Sequence, residues 1–167
     1  SIKNVLQYLE ITAARLPDKV ALTDGAGGQS LTFAALLNTA RRVGSSLCRR
    51  DLTGKRVAIL TERHPYAVAL MLGAVYAGAV YVPLDASMPK ERICAILESC
   101  HAAAIVCDEK NRVAAASLGL PLLLAEDKAL HKLDEAALNG VRARQIDTDP
   151  AYIIFTSGST GQPKGVV

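Results

Sequence analysis

Tryptophan is missing from this 167-residue chain, and five Tyr and two Phe are its only aromatic residues. A core built from it must be aliphatic and rich in alanine. A strong charge of either sign is missing too. Nineteen Lys and Arg against sixteen Asp and Glu leave a net charge of +3, and the basic residues are scattered, which excludes the electrostatic footprint of a nucleic-acid binder. Arg41-Arg42 and Arg49-Arg50 fall along one predicted helix and read as a solvated face. No CxxC pair occurs among Cys48, Cys94, Cys100 and Cys107, and His64, His101 and His131 complete no zinc-like spacing. Cys100 follows Ile93 by seven residues on the apolar side of a predicted helix, the position of a buried, inert thiol. Free thiols with no signal-peptide pattern point to a reducing, cytoplasmic setting. The uncharged run from Pro65 to Leu84 is about as long as a membrane-spanning helix. Gly73, Gly78 and Pro83 interrupt it, and 79–84 turns strand-like, so it reads as a buried helix, a turn and a buried strand, with no membrane span.

Half of the residues are hydrophobic and 21% are charged, a soluble globular composition. Their order alternates. A helix is expected over 2–15, with Ile2, Val5, Leu6 and Leu9 on one face and Pro17 beyond its end. Val20 to Thr23 reads as a short strand and DGAGG at 24–28 as a turn; it is no dinucleotide fingerprint, because Ser30 stands where the third glycine would be. Thr32 caps a helix carrying Phe33, Leu36, Leu37, Ala40, Val43 and Leu47 at helical spacing. Strands follow at 56–60 and 79–84 around a helix at 65–77. Ser87 and Pro89 open another helix with Ile93, Ile96 and Leu97 inward. Strands at 103–106 and 121–124 flank a helix near 110–117, and the mixed, polar 125–148 stretch reads as surface helix and loop. This alternation predicts one α/β layer domain: a mainly parallel sheet covered by helices on both faces.

The chain ends on YIIFTSGSTGQPKGVV, residues 152–167. An aliphatic strand pattern runs straight into Thr156-Ser157-Gly158-Ser159-Thr160-Gly161, with Lys164 behind Pro163. Glycines let the backbone approach an anion with its amide hydrogens foremost. Hydroxyls at 156, 157, 159 and 160 add neutral donors, Lys164 adds a positive one, and no acidic residue occurs from Thr156 onward. A triphosphate suits such a loop. The spacing is not that of a Walker A loop: with four residues between, Gly158 is followed by Pro163 and Gly161 by Val166 where a second glycine is needed. Gly165-Val166-Val167 reads as a returning strand instead of a helix. TSGSTG alone is also compatible with a plain hairpin turn; the following PKG is what argues against that.

With these residues quoted, TSGSTGQPKGVV resembles the phosphate-binding signature of the adenylate-forming, or AMP-binding, superfamily: acyl-CoA synthetases, luciferases and the adenylation domains of nonribosomal peptide synthetases. LTFAALL at 31–37 and YAGAVYVPLDASMPKERI at 76–93 resemble the first two core motifs of amino-acid adenylation domains, in order. Asp85 after VPL resembles the carrier-protein-loading branch, and DASMPKERI is similar to D-alanine carrier-protein ligases.

The resemblance implies that 1–167 is the N-terminal part of an adenylation domain, ending just after the phosphate-binding loop. It implies ATP and Mg²⁺, attack of an amino acid or other small carboxylic acid on the α-phosphate, and transfer to a carrier-protein phosphopantetheine thiol or to CoA. It assigns Thr156, Ser157, Gly158, Ser159, Thr160, Gly161 and Lys164 to the phosphates, and places no catalytic residue or metal ligand in this chain; Lys164 belongs to the loop. By itself the chain is expected to be inactive. An acyl-CoA synthetase fragment and a non-catalytic nucleotide-binding or interaction module remain alternatives at this point.

Overall fold

Four short β-strands, each flanked by glycine, proline or a capping residue, form the centre of the molecule. The computed structural model describes residues 2–25, 28–62, 65–145, 154–157 and 163–166. In chain order the elements are α1 (Ile2–Arg15), β1 (Val20–Thr23), β2 (Ser30–Thr32), α2 (Phe33–Arg49), β3 (Arg56–Leu60), α3 (Pro65–Tyr76), β4 (Val80–Leu84), α4 (Lys90–Cys100), β5 (Ala104–Cys107), α5 (Arg112–Ala116), β6 (Leu122–Leu124), α6 (Glu135–Arg144), β7 (Ile154–Ser157) and β8 (Pro163–Val166). One-turn 3₁₀ helices stand at Glu109–Asn111 and Lys128–His131. The central sheet has the order β4-β3-β5-β6 with every pair parallel. β1 with β2, and β7 with β8, form separate antiparallel pairs. Pro83 lies in β4, an outer strand, where a missing backbone N–H costs no ladder bond.

Period-two alternation divides the core. Val57 and Ile59 of β3, Ala104 and Val106 of β5 and Leu123 of β6 face α2 and α3. Ala58, Leu60, Ile105 and Cys107 face Ile93, Ile96, Leu97 and Cys100 of α4, and Ala115 of α5. Right-handed crossovers account for this division. The step from β3 to β4 runs one way along the sheet and lays α3 on one face. The steps from β4 to β5 and from β5 to β6 run the other way and lay α4 and α5 on the opposite face. A second apolar layer joins α1, α2, α3 and α6 through Leu6, Leu9, Leu36, Ala40, Tyr76 and Leu138.

Glycines set the closeness of α2 and α3. A Cβ on Gly73 would stand 2.6 Å from Val43 Cγ1, and one on Gly44 would stand 2.9 Å from the Gly73 carbonyl oxygen. Gly78, at φ +70°, ends α3: its N–H donates to Val75 O at 3.0 Å and that of Ala79 to Ala74 O at 3.0 Å, the paired bonds of a Schellman cap. Thr32 caps α2 by accepting the Ala35 N–H at 3.1 Å.

Four expectations need correction. Val5 is 51% exposed, while Leu6, Leu9 and Ala13 are buried, so the apolar stripe of α1 is rotated from the predicted one. β2, Ser30–Thr32, is a strand that was not expected: the sequence marked a turn at 24–28 and Thr32 only as a cap. The 125–145 stretch is no mere surface: Ala125 and Leu130 are fully buried, and Leu138 and Val141 nearly so. Its insertion also engages the arginines of α2, although Arg49 and Arg50 stay exposed as expected. Arg41 pairs with Glu135 at 3.3 Å, Arg42 donates to His131 O at 2.9 Å, and Arg49 donates to Lys132 O at 2.9 Å. These guanidiniums fasten that segment to α2. Among the described residues, no helix is long and apolar enough to cross a membrane.

Candidate functional site

The backbone of the terminal stretch is an antiparallel hairpin. Ile154 pairs with Val166, Phe155 with Gly165, Thr156 with Lys164 and Ser157 with Pro163. Strand β7 therefore reaches two residues further than the expected loop boundary, taking in Thr156 and Ser157, and β8 begins at Pro163, before the predicted return. Directly opposed residues of an antiparallel pair share one face with Cβ atoms about 5 Å apart. The register thus sets a hydroxyl position, 156, and the cationic position, 164, side by side at the base of the 158–162 connection. β8 runs beside α4. Gly158, Ser159, Thr160 and Gly161 lie outside the described residues, as do Tyr152 and Ile153.

Among the other described residues little suits a phosphate. A cavity of about 600 Å³ opens beyond the carboxyl ends of β3 and β4, between α3 and α4. Met71, Met88 and Ile96 line it, the carboxylates of Glu62 and Asp85 stand at it, and no cation is among its described lining residues. Asp85 shapes the turn into α4, accepting the N–H and the hydroxyl of Ser87 at 2.9 and 2.8 Å. Its place in the 76–93 motif is therefore a structural one.

Three of the four thiols are held in the neutral form. Burial pushes Cys48 and Cys100 up, and burial together with the neighbouring Asp108 carboxylate pushes Cys107 up to about 11. All four cysteines are free. Burial raises Tyr66 to about 12; its hydroxyl donates to Ala125 O at 3.1 Å and lies 2.9 Å from His131 Nε2. His131 Nε2 is itself 2.8 Å from Ala125 O, a contact that requires a proton on Nε2, so both side chains donate to one carbonyl. Among the described residues, no group of three or more His, Cys, Asp or Glu could hold a metal ion. These described residues offer no site of their own for the Mg²⁺ that the resemblance implies for the intact enzyme.

Two polar clusters were not anticipated. Arg142 grips Glu10 with two nitrogens, at 2.9 and 3.3 Å, while Tyr76 donates to the same carboxylate at 2.7 Å, locking α1 to α3 and α6. Burial pushes the Glu10 carboxyl up, but the bonds from Arg142 and Tyr76 outweigh it and hold the group below the usual carboxylate range. Asp108, just past β5, is buried and accepts N–H groups from two loops. A sequence signal existed only for the second, since Asp three residues before Asn111 is a capping pattern.

The chain belongs to the AMP-binding enzyme family, whose pattern it matches over residues 9–167. It is 39% identical over 152 residues to the hybrid PKS-NRPS synthetase xenE of Xenoacremonium sinensis, covering 90% of this chain and 4% of that protein. It is 36% identical over 170 residues to tyrocidine synthase 3 of Brevibacillus parabrevis, covering 99% of this chain and 2% of that protein. A crystal structure of the nonribosomal peptide synthetase FmoA3 superposes with a TM-score of 0.77 at 31% identity, over 97% of this chain and 16% of that one. FmoA3 has also been solved in an α-methyl-L-serine-AMP bound form. The chain therefore spans only a small part of the length of the relatives it matches.

Proposed function

We propose that this chain is the N-terminal part of an adenylation domain that activates an amino acid with ATP and passes it to a carrier-protein thiol. The amino-acid carboxylate attacks the α-phosphorus, forming a C–O–P linkage as the bond to the β-phosphate oxygen breaks and pyrophosphate leaves. The thiol sulfur then attacks the acyl carbonyl and AMP departs. The register that sets 156 across from 164 carries the reading, because it puts a donor position and a cation position together beside the Gly-Ser-Thr-Gly connection.

Pyrophosphate gains negative charge as it leaves, so donors fixed near it count for more in the transition state than in the ground state. Thr156, Ser157, Gly158, Ser159, Thr160, Gly161 and Lys164 are assigned that role. The α-methyl-L-serine-AMP complex of the nonribosomal peptide synthetase FmoA3 supports an amino acid over other carboxylic acids. Four free thiols are consistent with a reducing cytoplasm.

A hydrogen bond to a charged group contributes roughly 1.5–3 kcal/mol, and even a millimolar complex needs about 4 kcal/mol. One hairpin therefore holds ATP weakly, and the 167-residue chain by itself is proposed not to turn over. Amino-acid-dependent pyrophosphate–ATP exchange tests both halves. The intact parent should exchange and lose that activity when Thr156, Ser157 and Lys164 are all replaced by alanine. Undiminished exchange by the triple variant would end the proposal, and robust exchange by the isolated chain would refute the inactivity.

A further inference from the structure

β3 and β5 lie side by side in the sheet, and their onward connections depart toward opposite faces, through α3 on one and α5 on the other. In open parallel sheets the crevice outside the carboxyl ends of two such strands is the usual ligand site, because the diverging loops leave backbone N–H groups unclaimed there. In this chain those groups are claimed from within. Asp108 directly follows β5 and is only 7% exposed. Its Oδ2 accepts the N–H of Glu62, two residues past β3, at 2.9 Å. Its Oδ1 accepts the backbone N–H and the Nδ2–H of Asn111 at 3.1 and 2.6 Å. Donors from both sides of the crevice converge on one carboxylate, an arrangement that elsewhere receives a phosphate or a substrate carboxylate.

A charged group this deeply buried is tolerated only when its lone pairs are engaged, and here both oxygens are. The surroundings close the crevice further. Glu126 Oε2 accepts the Glu109 N–H at 2.9 Å, the Ala125 N–H donates to Cys107 O at 2.7 Å, and Lys110 Nζ lies 3.7 Å from Glu62 Oε1.

We infer that Asp108 is a built-in anion whose carboxylate fills the crevice between the carboxyl ends of β3 and β5, closing it to phosphates and carboxylate substrates while holding the β3–α3 and β5–α5 loops together. At this crevice the sheet is scaffold, and triphosphate binding is left to the 156–164 hairpin. That last clause rests on the function proposed above; the filled crevice does not.

Hydrogen exchange of the intact parent, read by mass spectrometry on segments 56–62 and 108–116, tests the inference. Asp108→Ala should speed exchange in both segments by about tenfold or more, the scale of a lost charged hydrogen bond. Sodium formate, a free carboxylate, should slow it again in a saturable way and leave the wild type unchanged. Asp108→Asn keeps the shape without the charge and should exchange faster than wild type with no response to formate. ATP added to the wild type should slow exchange at 154–166 and leave the two crevice segments as they were. The inference falls if Asp108→Asn exchanges as slowly as wild type, if Asp108→Ala does not respond to formate or stays unfolded in it, or if ATP directly protects the crevice segments. ATP that protects neither the crevice nor 154–166 would overturn the function assigned to the hairpin and leave the filled crevice standing.

Discussion

Among the described residues between 2 and 145, charged groups from Asp108 in the interior to arginines at the surface are answered by the chain itself. Asp108 is held by Glu62 and Asn111, and Glu10 by Arg142 and Tyr76, while Arg41, Arg42 and Arg49 reach across to 131–135. The stretch from Thr156 onward is composed in the opposite way, with four hydroxyl residues and one lysine but no acid to answer it. A region that neutralises its own charge is built for rigidity, whereas one with an excess of donors is built to meet an outside anion. The two should therefore fail differently when altered. Changes in the hairpin should remove chemistry and spare stability, and changes in the body should do the reverse.

The largest effect is expected at the hairpin. Lys164→Ala in the intact parent should lower acyl-adenylate formation by about 10²–10³-fold, the usual consequence of removing one transition-state donor, with the melting temperature unchanged. A loss of thermal stability of similar weight would erase the contrast. Next comes the α2–α3 crossing. Gly73→Ala puts a methyl 2.6 Å from Val43 Cγ1, an overpacking that should cost about 1–3 kcal/mol in denaturant unfolding; an unchanged midpoint would show that the helices can part freely. Thr32→Ala removes the cap of α2 and should cost about 1 kcal/mol by the same measurement.

The smallest effect belongs to the Glu10 lock. Its side chain is 37% exposed, so solvent screening limits its contribution to about 1 kcal/mol or less. Because its folded pKa is lowered from 4.5, that contribution is present above the unfolded value and lost as pH falls through the folded one. Glu10→Gln should narrow the stability gap between pH 7 and pH 3, as urea titrations at the two values would report. An equal gap in both proteins would sever the lock from acid sensitivity.

Much of the body could be read in advance because its elements are short and well punctuated. Val20–Thr23, Arg56–Leu60 and the span of α1 stand where the residue pattern put them, since alternation and helical spacing are local properties. Val5 shows the limit: periodicity places an apolar stripe to within one neighbour, and only the partners of α1 decide that Leu6 goes inward. The arginines of α2 show another. Read as a charge run they belong in water, yet the carbonyls they hold lie more than eighty residues further on. The hairpin divides the same way. Its hydroxyls, glycines and lysine were visible in the one-dimensional string, but the pairing of 156 with 164 was not.

What the sequence determined alone was chemical: an aliphatic core, strands alternating with helices, and a donor-rich, acid-free terminal loop that resembles a family signature. What only the tertiary structure decided was which polar groups meet. Partners such as Asp108 with the Glu62 N–H, or Arg142 with Glu10, are 46 and 132 residues apart. Contacts at that separation have no local pattern, because they exist only once the packed sheet has brought distant loops within hydrogen-bonding range.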